Sequence, residues 1–265
     1  MAKTLELARA HFRARLVDAG LDKFVEDYVA IARPALILRP AAAPCERDVT
    51  LLNRPHGAAN EDDIPLGATK VGGWPDMPRN RPWPGGAFVL QLALGDVPEG
   101  VIDLPREGLL TLFADPSQPG TATLDWIVPD MGRLVRTAPP EDAPMFLPRR
   151  LTSEFAMTLD TSRPETPMED DLQDVAFDAV AVPGESDCIQ LGGDPHALNP
   201  MVEELEDLSP DNDLPEEVRE WRLILRVASI EECEMDWGAG LYVWMRVGDL
   251  QQRRFENAVA IAQAF

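Results

Sequence analysis

Histidines, cysteines and tryptophans are the residues here from which specific chemistry would be built, and their spacing narrows the options. His11, His56 and His196 stand far apart, as do Cys45, Cys188 and Cys233. A zinc site needs several such ligands at short spacing. Asp194-Pro195-His196 brings two candidate ligands close, but a proline stiffens the step between them, and it reads as a loop histidine. Asp211-Asn212-Asp213 has the opening of a calcium loop without the sixth-position glycine or the distal glutamate. Neither a metal nor a cofactor is expected. Nucleophiles fare no better. There is no GxSxG elbow, and Ser186 lies between Glu185 and Asp187. Cys188 follows the same carboxylates, which disfavour a thiolate, so it reads as a small buried apolar residue. Acidic residues number 46, so no pair of them is singled out as a catalytic dyad. No GxxxxGK[ST] and no helix-opening GxGxxG is present. No catalytic residue is assigned.

The aromatic residues are the exception to this scatter. Trp74, Trp83, Trp237, Tyr242 and Trp244 gather in glycine- and proline-rich stretches. Two readings stay open. They are core plugs beneath glycine corners, where tryptophan buries a large area and its N–H finds a partner. Or Trp74 and Trp83 line a crevice between two halves of the molecule, with Lys70, Asp76 and Gln91 as the nearby polar groups. These five are the candidate ligand-binding residues.

Elements that would position them follow from periodicity. Leu5, Ala8, Phe12 and Leu16 form one helical stripe that Gly20 would stop; Phe24, Tyr28 and Ile31 form a second, ended by Pro34. Strand-like runs follow at 35–38, 88–94, 109–113, 121–128, 133–137, 154–159, 175–182, 222–228, 241–247 and 258–262. The runs at 121–128 and 133–137 are expected to pair around Pro129-Asp130-Met131-Gly132. Segments 161–174 and 202–217 are acidic and read as surface loops. No βαβ alternation appears, so the expected fold is α+β with mostly antiparallel strands. Three pieces also recur in order. Val71-Gly72-Gly73-Trp74-Pro75 returns as Leu191-Gly192-Gly193-Asp194-Pro195, the run from Phe88 returns from Leu223, and Gly108-Leu109 returns as Gly240-Leu241. The expected organisation is an N-terminal helical pair over 1–34, a first β-rich half over 35–160 and a related second half over 161–265, sharing one core.

Composition bounds what such a molecule meets. The chain has 265 residues, 24 Lys plus Arg against 46 Asp plus Glu, and a formal charge of −22. That balance argues against nucleic acid and anionic membrane surfaces as partners. The expected location is the cytoplasm, with reduced thiols and neither an h-region nor a spanning segment.

The motif Gly72-Gly73-x-Pro75-x-x-Pro78, with Trp83-Pro84, Phe88-x-x-Gln91, Leu104-Pro105 and Gly108-Leu109-Leu110-x-x-Phe113, resembles the YwqG-like family of bacterial proteins, a domain of unknown function. Leu191-Gly192 before Pro195, Trp237-Gly238-x-Gly240-x-Tyr242-x-Trp244, Asp249-Leu250 and Phe255 extend the resemblance over about 65–264. Asp194 stands where the family usually has an aromatic, and Ala239 where it often has an acid. The resemblance brings no established activity; members beside toxin genes imply an immunity or antitoxin role by association. Together these readings favour a non-catalytic binding module of the bacterial cytoplasm that docks a basic protein. The alternative is an enzyme of unstated class with a small-molecule site where the halves join.

Overall fold

Ala8, Phe12 and Leu16 are buried along one stripe of α1 (Ala2–Asp18). In this computed structural model, which describes residues 2–41, 63–128, 133–159, 173–181, 187–195, 204–205, 207 and 220–263, Gly20 ends that helix at φ +77°. Leu21 N–H reaches back to the Leu16 carbonyl at 2.9 Å, satisfying an otherwise orphaned acceptor. A second helix, α2 (Val25–Ile31), packs Tyr28 beneath α1, with Phe24 stacked on its ring at 5.7 Å. The helix ends at Ile31, ahead of Pro34. Ala32 is already extended, and Arg33, preceding a proline, is biased against helix, so the chain enters a strand before Pro34. The helical pair therefore stops short of residue 34.

Twelve strands follow among the described residues: β1 (Arg33–Pro40), β2 (Lys70–Val71), β3 (Asp76–Pro78), β4 (Ala87–Ala93), β5 (Leu109–Asp115), β6 (Gln118–Ile127), β7 (Leu134–Arg136), β8 (Arg149–Thr158), β9 (Ile189–Gly192), β10 (Trp221–Val227), β11 (Gly240–Arg246) and β12 (Val259–Gln263). Ten form one sheet in the order β12-β11-β10-β9-β1-β8-β2-β4-β5-β6, and β3 pairs with β7. Every strand pairing is antiparallel, which agrees with the α+β expectation. At the centre, β1 runs between β8 and β9, with Leu36 opposite both Phe155 and Leu191. The edge strands β6 and β12 pack against each other, so the sheet curls until its two edges meet. Inside the curl lies the main core, drawn from both ends of the sheet and including Leu90, Leu112, Leu225, Val243 and Phe255. Each such side chain contributes roughly 1.5–3 kcal/mol by leaving water.

β4 and β10 each carry a bulge, between Phe88 and Leu90 and between Leu223 and Leu225. The extra residue lets two successive side chains, Val89-Leu90 or Ile224-Leu225, join the inner core. Phe88 and Leu223 then belong to separate clusters on the outer face.

Two other expectations change. The strand expected over 175–182 is instead helical as far as Val180: α3 (Gln173–Val180) packs on α1, with Val180 in the cluster of Phe12 and Leu16. A short apolar run carries no decisive period, and burying one end against a helix was enough to set its form. The runs at 121–128 and 133–137 do not pair with each other. β6 returns directly from β5 through a turn in which Asp115 Oδ1 accepts from Ser117 N and Oγ at 2.8 and 2.7 Å. β7 instead lies on β3, where Arg136 meets Asp76. The acidic stretch 202–217 is described only at 204, 205 and 207. Glu204 and Asp207 are exposed, whereas Leu205 is fully buried against Trp221, Tyr242 and Trp244. The turn 129–132, the acidic part at 161–172, Cys45, His56, Ser186, His196 and Asp211-Asn212-Asp213 lie outside the described residues.

Candidate functional site

Gly72 and Gly73 follow β2 at φ +62° and +71° and turn the chain away from the sheet towards β3. Gly73 N–H donates to the Phe146 carbonyl at 2.8 Å, so the turn lies against the segment that leads into β8. Three of the five candidate residues meet behind this turn. Lys70, Asp76 and Gln91 have no exposed surface. Lys70 is opposite Gln91 in the β2–β4 ladder. Its ammonium donates to the Trp74 carbonyl, lies 3.9 Å from Asp76 Oδ1 and sits 5.7 Å from the Phe88 ring centre. Gln91 grips Asp76 twice: its Nε2 donates to Oδ2 at 2.7 Å, and its Oε1 accepts from the Asp76 N–H at 2.9 Å. Gly67 N–H also donates to Oδ2, at 2.8 Å.

Arg136, absent from the five, completes the group. Its Nε donates to Asp76 Oδ1 at 3.0 Å, and its other end donates to the Ile64 carbonyl at 2.8 Å. One buried carboxylate thus serves two cations and several neutral donors. Such an arrangement holds only when its lone pairs and protons are satisfied, as here. The cluster clasps β2, β3, β4 and β7 together. A lone arginine in a short strand gave no signal that it belonged with Asp76, sixty residues away.

The two tryptophans go elsewhere. Trp74 is partly exposed and contributes its carbonyl to Lys70. Trp83 packs edge-on to Phe113 at 5.1 Å, with its Nε1–H donating to the Gly86 carbonyl at 3.0 Å. Its neighbours Arg81, Pro82 and Pro84 face a cleft on the other side.

A second polar feature lies at 230–238. Ile230, Cys233, Met235 and Trp237 are buried, whereas Glu231, Glu232, Glu234 and Asp236 are exposed. The turn is closed by Ile230 N–H to Met235 O at 2.8 Å and by the reverse bond at 3.1 Å. The Cys233 carbonyl accepts from Leu147 N–H at 2.8 Å, and Asp236 Oδ1 accepts from Gly238 N–H at 2.9 Å. Glu234 stands in the left-handed region at φ +54°. Four exposed carboxylates are thus carried on an anchored frame.

Burial pushes the Cys233 thiol up to about 12, reinforced by Glu232 and opposed by Arg149. The raised value means the thiol form is stabilised by folding, a contribution present below the unfolded value of about 9 and lost as pH climbs towards 12. In a Cys45→Ser/Cys188→Ser protein, Cys233 should therefore react with a thiol reagent at pH 8 far more slowly than after unfolding in urea. Equal rates in the two states would show the sulfur is accessible.

Among the described residues no cluster of three or more His, Cys, Asp or Glu could hold a metal ion, and no helix is long and apolar enough to cross a membrane. A curled antiparallel sheet, helices packed against β8 and an ionic clasp behind a Gly-Gly turn define an α+β protein. The chain belongs to the family described as Domain of unknown function (DUF1963), whose model matches residues 69–264. No curated protein matches it.

Proposed function

We propose that the chain is a non-catalytic binding module that docks a basic protein, and that the turn at 231–236 is the docking point. The observation that carries this is the anchored frame: alternate residues plug the core while four carboxylates point out. A charge array already held in place loses little entropy on binding. A side-chain-bearing residue at positive φ, as at Glu234, is uncommon and favours a purpose beyond turning the chain. The overall charge of −22 adds long-range steering toward a cationic partner. A lysine-rich peptide is a suitable probe. Its affinity should fall as salt rises, and Glu231→Gln/Glu232→Gln/Glu234→Gln should weaken it by about tenfold or more at low salt. Neutralising Glu6, Asp18 and Asp178 should change it far less. Equal losses from the two triple variants would reduce the turn to general acidity and end the proposal. An immunity or antitoxin role, in the bacterial cytoplasm, is one setting for such docking. The competing reading is an enzyme with a small-molecule site where two halves join.

We infer further that the sheet arose by duplication of a five-strand unit, with first strands exchanged. Outward from the centre, β8-β2-β4-β5-β6 matches β1-β9-β10-β11-β12. Supports are the bulges after Phe88 and Leu223, and the glycine pairs at φ +62°, +71° and +66°, +71°. Gln190 also mimics Lys70. Its Nε2 donates to the Asp194 carbonyl at 2.8 Å, as Lys70 donates to that of Trp74. In this reading the second unit starts at β8 rather than at residue 161. Each unit's first strand then pairs with the other unit.

A further inference from the structure

A cleft of about 490 Å³ opens where the edges of the sheet meet. One side is formed by Arg81, Pro82 and Pro84 with β6; the other is the loop before β12, which brings Arg253 and Phe255. The size suits a ligand of roughly ten to twenty heavy atoms. Its aromatic wall is fixed. Trp126 meets Phe255 edge-on at 6.1 Å, and the Trp126 Nε1–H donates to the Glu107 carbonyl at 3.0 Å. The two prolines supply a stiff apolar surface that holds water weakly.

Arg253 is placed here by an unusual backbone. Its φ is +60°, a conformation that a residue with a side chain rarely takes. The loop enforces it: Asp249 Oδ1 accepts from Arg254 Nε at 2.7 Å and from Asn257 Nδ2 at 2.9 Å, while Arg253 N–H donates to the Leu250 carbonyl at 3.1 Å. The guanidinium is aimed in turn. It donates to the Asp103 carbonyl, to Asp103 Oδ1 at 3.0 Å and to the Leu250 carbonyl at 3.1 Å. A guanidinium has five N–H groups, so these contacts leave donors for a further acceptor. Arg81 is held comparably by Asp125.

The charge of the lining selects among anions. Asp125, Glu256 and the ion-paired Asp103 outnumber Arg81 and Arg253. A phosphate or other polyanion therefore meets more repulsion than attraction, whereas a single carboxylate needs only the N–H donors of Arg253 that its three contacts leave over. We propose that this cleft binds a small, ring-bearing monocarboxylate, its ring against Trp126 and Phe255 and its carboxylate on Arg253. This site is independent of the acidic turn, so either can fail alone.

The test titrates the full chain with sodium phenylacetate and sodium indole-3-acetate, followed by calorimetry and by saturation transfer from protein to ligand protons. One-to-one binding with Kd of about 1 mM or tighter is expected. Phenylacetamide, which keeps the ring and loses the charge, should bind about tenfold more weakly, the scale of one charge-assisted hydrogen bond. Arg253→Gln should bring phenylacetate down to the same level, and Arg39→Gln, outside the cleft, should not. Arg81→Gln supplies a second arm should Arg253→Gln fail to fold, with a smaller loss expected. Absence of saturation at about 10 mM, a value set by the same scale, would overturn the proposal. So would equal affinity for the acid and the amide, or binding that persists unchanged in folded Arg253→Gln.

Discussion

Asp76→Ala should lower the unfolding free energy by about 3–5 kcal/mol, the usual penalty for stranding a buried charge. Lys70 would stay fully buried without its neighbouring carboxylate, and Arg136 would lose the acceptor for its Nε. Gly67 N–H and Gln91 Nε2 would lose an acceptor as well. The check is a urea titration followed by circular dichroism. Adding Lys70→Met to the same protein should recover part of the loss, because an apolar chain of similar length suits that pocket better than a lone ammonium. A loss below about 1 kcal/mol for Asp76→Ala, the range of a surface substitution, would mean the clasp contributes shape and no electrostatic stability.

Gly72→Ala should be nearly as damaging, for a different reason. A Cβ there would lie 2.3 Å from the Leu147 carbonyl oxygen and 2.8 Å from its carbon, both backbone atoms. The residue also stands at φ +62°, which costs a side-chain-bearing residue about 1–2 kcal/mol by itself. Moving the backbone at 146–147 would disturb the bonds that tie Gly73 to Phe146 and Leu147 to Cys233. The sum is about 3 kcal/mol or more. Gly20→Ala is the matched control: φ is +77°, and nothing lies within 4 Å of its Cβ. It should cost only the conformational part. Equal losses at the two sites would show that the turn yields to the added methyl.

Why some of this was readable in the sequence, and some was not, is physical. Strands β4, β5 and β11 are long, apolar and bounded by Gly or Pro, and β10 is an apolar run of the same length, so each announces itself. Helix α1 carries its stripe in full. β2, β3 and β9 are two to four residues long, too short to show a period, and exist because longer strands offer them partners. The same holds for α3, where contact with α1 decided between helix and strand. In the clasp, Lys70, Asp76 and Gln91 were recognisable as polar residues crowded into an apolar, glycine-rich stretch. Their exposure was not, because a charged residue is ordinarily read as solvated until its partner is known. That partner, Arg136, is supplied by the β3–β7 pairing, a contact no local pattern encodes. Arg253 escaped for a related reason: its left-handed backbone is imposed by Asp249, and nothing in the type of residue 253 advertises it.

The position of β1 sets a timetable. It is made before both of its neighbours, β8 and β9, with Pro40 paired to Leu151 and Leu38 to Ile189. At about 5–20 residues per second, the first of those partners emerges on the order of ten seconds later. Through that interval the apolar Ala35, Leu36, Ile37 and Leu38 have no strand beside them, and both edges of β1 are open. The sheet cannot be assembled outward from its first strand; the centre waits until β8 and β9 have been made. Closing it joins residues more than a hundred positions apart, so the molecule belongs among slow-folding chains of high contact order. A nascent chain of this design depends on whatever shields its first strand until the other half of the message has been read.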